Sequence, residues 1–317
     1  MQHVISIKQF SDTKKLDGIF SLAAEFQNTE PHRYPQSLQN KIVANLFYEP
    51  STRTRFSFET AALNLGGRVI STENGSEYSS TKKGESLEDT IRTINQYADV
   101  IVMRHPMVGS AKLAADHSRV PIINAGDGGG EHPTQGLLDL FTIRQAKGKI
   151  DGLKVVAVGD TLHSRTIHSL IDMLKLYNTE LYLVAPKELQ MSKQELEPYL
   201  GRSKITQLDS YDDVLNGADV MYVNRVQEER FADRAEFERL RSSFCVTNDT
   251  LKRMKDDAVI MNPLPRVNEI HPEVDNDPRA IYFEQARNGV YIRMALLDML
   301  MTPEVPSKLR VSGLQTA

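Results

Sequence analysis

Six short stretches of this chain combine residue types that can do chemistry, and each lies where one kind of structure should give way to another. The first is Phe47-Tyr48-Glu49-Pro50-Ser51-Thr52-Arg53-Thr54-Arg55. An apolar strand ends at Glu49-Pro50, and a helix opens at Ser51 with hydroxyls in its first turn. A helix start presents unpaired N–H groups and the positive end of the dipole, which suits a phosphate. Ser51, Thr52 and Thr54 add hydroxyl donors, and Arg53 adds a planar fork for two oxygens. Taken by itself, the hydroxyl run reads equally well as an ordinary helix cap with solvated arginines.

The other stretches repeat the theme. Ser79 to Ser86 is a polar loop before a helix, holding Lys82 and Lys83; two loop lysines alone describe a solvated surface. Arg104 and His105 close a buried strand, where parallel sheets place ligand groups, although a structural salt bridge would also use Arg104. Pro133 fits the first position of a helix and leaves His132 at its start, pointing outward. That location disfavours added positive charge, so His132 should stay neutral and donate a hydrogen bond. Val158-Gly159-Asp160 precedes another helix, yet the G-x-G-x-x-G spacing of a dinucleotide fold is absent. Past a further strand, Arg225 and Gln227 alternate onto one face.

Positioning these groups requires an α/β framework. Apolar, β-branched runs at 42–48, 68–71, 100–103, 121–124, 153–158, 180–184, 220–223 and 259–261 alternate with helical patterns at 51–65, 86–97, 165–176 and 210–216. Such alternation predicts parallel sheets flanked by helices. A glycine-rich loop, Gly126 to Gly130, precedes a strong helix from Pro133 to about Ala146, which Gly148 should stop before Asp151-Gly152 turns into a new strand. This helix reads as a bridge between two similar α/β domains, 1–132 and 133–284, with a last helix from Gln285 to Met301 and the segment 285–317 completing the first. A length of 317 residues suits two domains of ordinary size.

Composition narrows the classes. The chain is 40% hydrophobic and 25% charged, with a formal net charge of -4. That balance excludes disordered and fibrous classes and argues against a general nucleic-acid or membrane-surface binder. A bound anion would need a local cluster of cations. The single cysteine, Cys245, rules out an intrachain disulfide and a cysteine-rich zinc site, and reads as a small buried thiol. The histidines fall in no recognised ligand spacing, so neither metal nor cofactor is expected. The N-terminal residues do not form a signal-peptide core, and no apolar run approaches the ~20 residues of a membrane span. A soluble cytoplasmic protein is the default.

Together the motifs resemble the aspartate/ornithine carbamoyltransferase family, in order and through essentially the whole chain. The S-T-R-T-R string at Ser51 to Arg55 resembles its phosphate signature. The resemblance implies that Ser51, Thr52, Arg53 and Thr54 hold the phosphate of carbamoyl phosphate and that Thr54 approaches its carbonyl oxygen. Arg104 would bridge phosphate and carbonyl oxygen. His132-Pro133-Thr134-Gln135 is similar to the family's H-P-x-Q, with His132 polarising the carbonyl and Gln135 holding the carbamoyl NH2. Ser79 and Lys83 match a loop that reaches into a neighbouring subunit, implying a homotrimer with shared active sites. Pro263-Leu264-Pro265-Arg266 resembles the family's P-L-P-R, with a cis peptide before Pro265 and the Leu264 carbonyl facing substrate.

The substrate branch follows from the second half. Arg165 matches a residue facing a substrate carboxylate, and Arg225-Val226-Gln227 matches the aspartate-specific R-x-Q. The S-M-G loop of the ornithine branch is absent, and Arg165, Arg225 and Lys83 would repel a cationic side chain. The implied reaction converts carbamoyl phosphate and L-aspartate to N-carbamoyl-L-aspartate and phosphate, the committed step of de novo pyrimidine synthesis. An ornithine or other carbamoyltransferase, or a non-catalytic family member, are the alternatives. No side-chain base is evident, so the phosphate is the expected acceptor of the amine proton. Glu49 and Arg230, with Arg165, would form ion pairs that close the domains over substrate. Three residues depart from the family pattern: His163 and Ser164 replace an aromatic residue and a glycine, and Asn262 replaces a histidine. Whether regulatory chains bind is left open.

Overall fold

A computed structural model describes residues 2–74, 83–226 and 244–302. The expected site residues Ser79, Gln227 and Arg230 lie outside them, as does 303–317 of the segment expected to complete the first domain. Two compact units emerge, one comprising Met1–Leu137 with the chain from Arg287 onward, the other Leu138–Ala286. Both divisions fall inside helices, Pro133–Lys147 and Tyr282–Met301, so the chain passes from unit to unit through continuous helix.

The first unit is built on four parallel strands, β1 (Ile42–Phe47), β2 (Arg68–Thr72), β3 (Val100–His105) and β4 (Ile122–Asp127), in the order β2-β1-β3-β4. Its longer helices are α1 (Thr13–Asn28), α2 (Thr52–Asn64), α3 (Leu87–Ile94) and α4 (Ser110–His117). Helix α1 buries Leu16, Ile19, Phe20, Ala23 and Phe26, the spacing of one helical face. Ala44, Leu46, Ile101, Met103 and Ile122 form the apolar layer on one side of the sheet. Helix α5 (Pro133–Lys147) begins in this unit and ends where Gly148 turns into left-handed backbone at φ 71°. Helix α7 (Tyr282–Met301) returns to it, with the Arg293 guanidinium 5.0 Å from the Phe58 ring centre.

The second unit carries five parallel strands, β5 (Lys154–Val158), β6 (Glu180–Val184), β7 (Lys204–Leu208), β8 (Val220–Val223) and β9 (Val259–Met261), in the order β7-β6-β5-β8-β9. Helix α6 (Arg165–Leu174) follows β5. The core packs Val156, Val158, Met221, Val223 and Ile260 against Tyr282. Strand β7 is an edge strand that the hydropathy pattern does not reveal. The helix expected at 210–216 does not form. Ser210 Oγ donates to Asp212 and accepts the Asp212 N–H at 3.1 Å, and this local bonding replaces a first helical turn. Only a 3-10 turn, Leu215–Gly217, follows.

Each sheet reverses its direction of growth once. In the first, the chain goes from β1 outward to β2, then returns to place β3 on the other side of β1. In the second, β5, β6 and β7 run one way, and β8 then lies on the opposite flank of β5. Ligands of open α/β sheets bind beyond the carboxyl ends of strands at such switch points.

Candidate active site

At the switch point of the first unit, β1 runs into α2 and β3 ends in Arg104. Ser51 is the cap residue of α2, and its carbonyl accepts the Arg55 N–H at 3.0 Å. Its hydroxyl makes no capping bond. Thr52 and Arg53 are exposed in the first turn, and Thr54 is buried. Arg55 pairs with Glu73 at 3.0 Å and Glu59 at 3.7 Å and so anchors α2.

Arg104 is only 11% exposed and lies 3.4 Å from Glu49, through Nη2 and Oε2. Its Nη1 donates to the Ala125 carbonyl at 3.4 Å. Glu49, expected in domain closure, thus pairs within its own unit. The guanidinium is held by the ends of β1 and β4, the arrangement that fixes a cation without burying it unpaired. His105 packs edge-on to Tyr48 at 4.6 Å, and its Nδ1 accepts the Met107 N–H at 3.1 Å. Burial pushes its pKa below the ordinary value, against the opposing pull of Glu49.

His132 and Gln135 are both buried at the start of α5, which follows β4. The His132 carbonyl accepts the Gln135 and Gly136 N–H groups at 2.9 and 3.3 Å. One sheet edge therefore gathers two helix starts, Arg104 and His132. Lys83 is exposed just before α3, after the strand β2 that ends on this same edge.

The switch point of the second unit lies between β5 and β8. Arg165 is the first residue of α6, following β5, and Arg225 follows the end of β8. Strand β8 stops at Val223, so Arg225 belongs to the chain beyond it and not to an alternating strand. Ser164 caps α6 by accepting the Ile167 N–H at 3.3 Å, and Asn224 donates to the hydroxyls of both Ser164 and Thr166. Asn224, unsuspected from the sequence, thereby ties the residue before Arg225 to the residue before Arg165. The serine that departs from the family pattern acts as a helix cap. His163 sets Nδ1 3.2 Å from the fully buried Asp160 carboxylate, which also accepts its backbone N–H at 2.9 Å. Gly159 passes so close to Asn224 that a Cβ would stand 2.1 Å from its carbonyl oxygen.

Beyond β9, the Leu264–Pro265 peptide is cis, as expected, and Leu264 sits in left-handed backbone at φ 56°. Asn262 organises this loop. Its Oδ1 accepts the Leu264 N–H at 2.6 Å, and its Nδ2 donates to Glu269 at 3.0 Å. Arg266 bonds to Asp275 and Tyr282, a structural use. Burial, and then the hydrogen bond to Asp275, push the Tyr282 hydroxyl up to about 12 against the opposing pull of Arg266. No group of histidine, cysteine or carboxylate side chains among the described residues could hold a metal ion.

Residues 2–145 match the aspartate/ornithine carbamoyltransferase carbamoyl-P binding domain, and residues 151–300 match the Asp/Orn binding domain of the same family. The chain belongs to the aspartate/ornithine carbamoyltransferase family. An aspartate carbamoyltransferase catalytic subunit of Archaeoglobus fulgidus is 46% identical over 95% of this chain and 99% of its own length. A chloroplastic aspartate carbamoyltransferase of Pisum sativum is 47% identical, covering 95% of this chain and 79% of the relative. Among solved structures, the catalytic subunit of M. Jannaschii aspartate transcarbamoylase superposes with a TM-score of 0.88 at 46% identity, covering 96% of this chain and 99% of that one. The Trypanosoma cruzi aspartate transcarbamoylase bound to carbamoyl phosphate and aspartate gives 0.87 at 37% identity, with 94% and 96% covered. The two α/β units with parallel sheets are thus those of the family.

Proposed function

We propose that this chain transfers the carbamoyl group of carbamoyl phosphate to the amine of L-aspartate. One observation carries the reading: both sheets place arginines at their switch points, with a hydroxyl-bearing helix start in the first unit and two guanidinium groups, Arg165 and Arg225, in the second. Phosphate is taken up by the α2 start, Arg53, and the hydroxyls of Ser51, Thr52 and Thr54. The two carboxylates of aspartate are received by Arg165 and Arg225, with Gln227 and Lys83 contributing. Ser79 and the Leu264-Pro265 turn complete the binding of carbamoyl phosphate, and Gln135 holds the carbamoyl NH2.

The aspartate nitrogen attacks the carbonyl carbon, and negative charge grows on the carbonyl oxygen. Arg104, Thr54 and His132 stabilise that oxygen, ordinarily the largest electrostatic contribution in acyl-type transfer. The C–O bond to phosphate then breaks, Arg53 and the helix start stabilise the departing group, and the phosphate takes the amine proton. Holding both reactants in place supplies much of the acceleration. An ornithine substrate is disfavoured because its cationic side chain would face Arg165 and Arg225.

A homotrimer sharing active sites through the Ser79–Lys83 loop is part of the reading. Strand β2 is an exposed edge, and Phe56, Leu63 and Ile70 on α2 and β2 are 50%, 60% and 42% exposed. Apolar side chains exposed on α2 and on the strand that ends the sheet among the described residues suit burial against another copy. The cytoplasm is the compartment we assign, whereas the pea relative is chloroplastic. The test is direct. The protein is mixed with carbamoyl phosphate and either aspartate or ornithine, and carbamoylated product and phosphate are measured. Carbamoyl-aspartate formation is expected; product from ornithine alone, or from neither, overturns the assignment.

A further inference from the structure

The N-terminal residues lie along the outer edge of β4. The Val4 N–H donates to the Ile122 carbonyl at 2.8 Å, and the Asn124 N–H returns a bond to the Val4 carbonyl at 2.7 Å. Asn124 Nδ2 adds a bond to the Ile5 carbonyl at 3.0 Å, and the Ile122 N–H donates to His3 Nδ1 at 3.1 Å. The segment therefore extends the sheet by a short parallel bridge, Val4 against Ile123. At its end, Ser6 caps the 3-10 turn Ile7–Phe10.

The Glu131 carboxylate grips that turn with both oxygens. Ser6 Oγ donates to Oε1 at 3.0 Å, and the Ile7 N–H donates to Oε2 at 2.6 Å. The backbone of Glu131 is fixed from the other side: its N–H donates to Asp127 Oδ1 at 2.7 Å, while Asp127 Oδ2 accepts the Gly109 N–H at 3.0 Å. Gly130 fits this knot because a Cβ there would stand 2.7 Å from Asp127 Oδ1. Glu131 immediately precedes His132. With both carboxylate oxygens engaged by the N-terminal turn, Glu131 holds the backbone and does not face substrate.

We infer that Glu131 is a positioning residue for His132, with Ser6 and Ile7 as its anchor, so that the N-terminal segment helps set the orientation of the carbonyl-polarising imidazole. This rests on the assignment of His132 given above. Small misplacements of such a group cost rate more than binding. A carboxamide would preserve the grip, because its oxygen accepts from Ile7 and the Ser6 hydroxyl can reverse and accept.

The test is a double-mutant cycle on the full chain. Glu131→Ala should lower kcat about tenfold with the KM for aspartate changed less than about twofold. Glu131→Gln should restore most of the loss. In a His132→Ala background, Glu131→Ala should cost nothing further. Equal losses in both backgrounds, with His132→Ala itself impaired, would overturn the positioning role and leave the His132 assignment intact. A His132→Ala variant with unchanged turnover would overturn both. Should Glu131→Ala fail to fold, Ser6→Ala removes one of the two bonds to Glu131, along with the cap on the Lys8 N–H, and must show the same dependence on His132, with about a twofold loss.

Discussion

Replacing Asn262 with alanine should damage both stability and catalysis, because this side chain connects a buried carboxylate to the turn proposed to face substrate. Asn262 is 1% exposed and Glu269 5% exposed. Glu269 accepts from Asn262 Nδ2 at 3.0 Å and from the Val267 and Asn268 N–H groups at 2.9 and 3.1 Å. Removing one donor from a buried carboxylate costs about 1.5–3 kcal/mol, and removing the acceptor of the Leu264 N–H costs about 1–3 kcal/mol more. These overlap, so a net loss of about 3 kcal/mol is expected. For a unit of this size that corresponds to a fall of about 6–12 °C in its melting temperature.

The catalytic consequence follows from Leu264, whose φ of 56° is a conformation that a non-glycine residue holds only at a cost of about 1–3 kcal/mol. Without the bond to Asn262, the turn relaxes and its carbonyl leaves the position proposed to face substrate. Calorimetry gives the stability, and steady-state kinetics with both substrates varied gives the second effect. Asn262→His should retain the donor to Glu269 and lose about half as much stability. If Asn262→Ala melts within about 1 °C of the parent and keeps its kinetic constants, the account of this loop is wrong.

Three further outcomes follow. Arg225→Leu should raise the KM for aspartate about 10- to 100-fold, the worth of a charge-assisted pair, and leave the KM for carbamoyl phosphate nearly unchanged; an equal rise in both would remove Arg225 from the aspartate site. Gly159→Ala should destabilise the second unit by about 3 kcal/mol or more, since φ is 124° and the added Cβ would stand 2.1 Å from the Asn224 oxygen; an unchanged denaturant midpoint would refute it. Burial, the largest cause in each case, lowers the pKa of His3, His105 and His168 from 6.5. The unfolded chain then binds these protons more readily, so their contribution is full above 6.5 and is lost as pH falls through that value toward the folded pKa. The melting temperature should fall between pH of about 7.5 and 5, and a flat or rising profile would contradict the sign.

Much of the framework was legible because buried parallel strands are short apolar runs and the helices between them open with polar caps. Strands β1, β5, β6, β8 and β9 follow that rule. Strand β7 does not: as an edge strand, Lys204 to Leu208 is largely half-buried and carries no continuous apolar signal. Helix α4 starts after Gly109 with no side-chain cap, so its start has no residue signature. Ser210 to Asn216 had a polar start that resembled a helix opening, but there the serine hydroxyl closes a local turn.

The site divides along a related line. Residues proposed to meet ligands stand in short local strings, and those strings can be read: Ser51 to Thr54, His132 to Gln135, Leu264 to Pro265. Residues that hold them in place are joined across long sequence separations. Asn224 bonds to Ser164 and Thr166, and Glu131 to Ser6 and Ile7, pairs that no local spacing predicts. Arg55 illustrates the converse. It lies inside the most recognisable string of the chain, yet its guanidinium pairs with Glu59 and Glu73. A motif thus preserves two kinds of requirement at once, contact with the ligand and anchorage of the element that makes the contact. Only the partners of each side chain separate them, and on that ground the proposed phosphate cradle ends at Thr54.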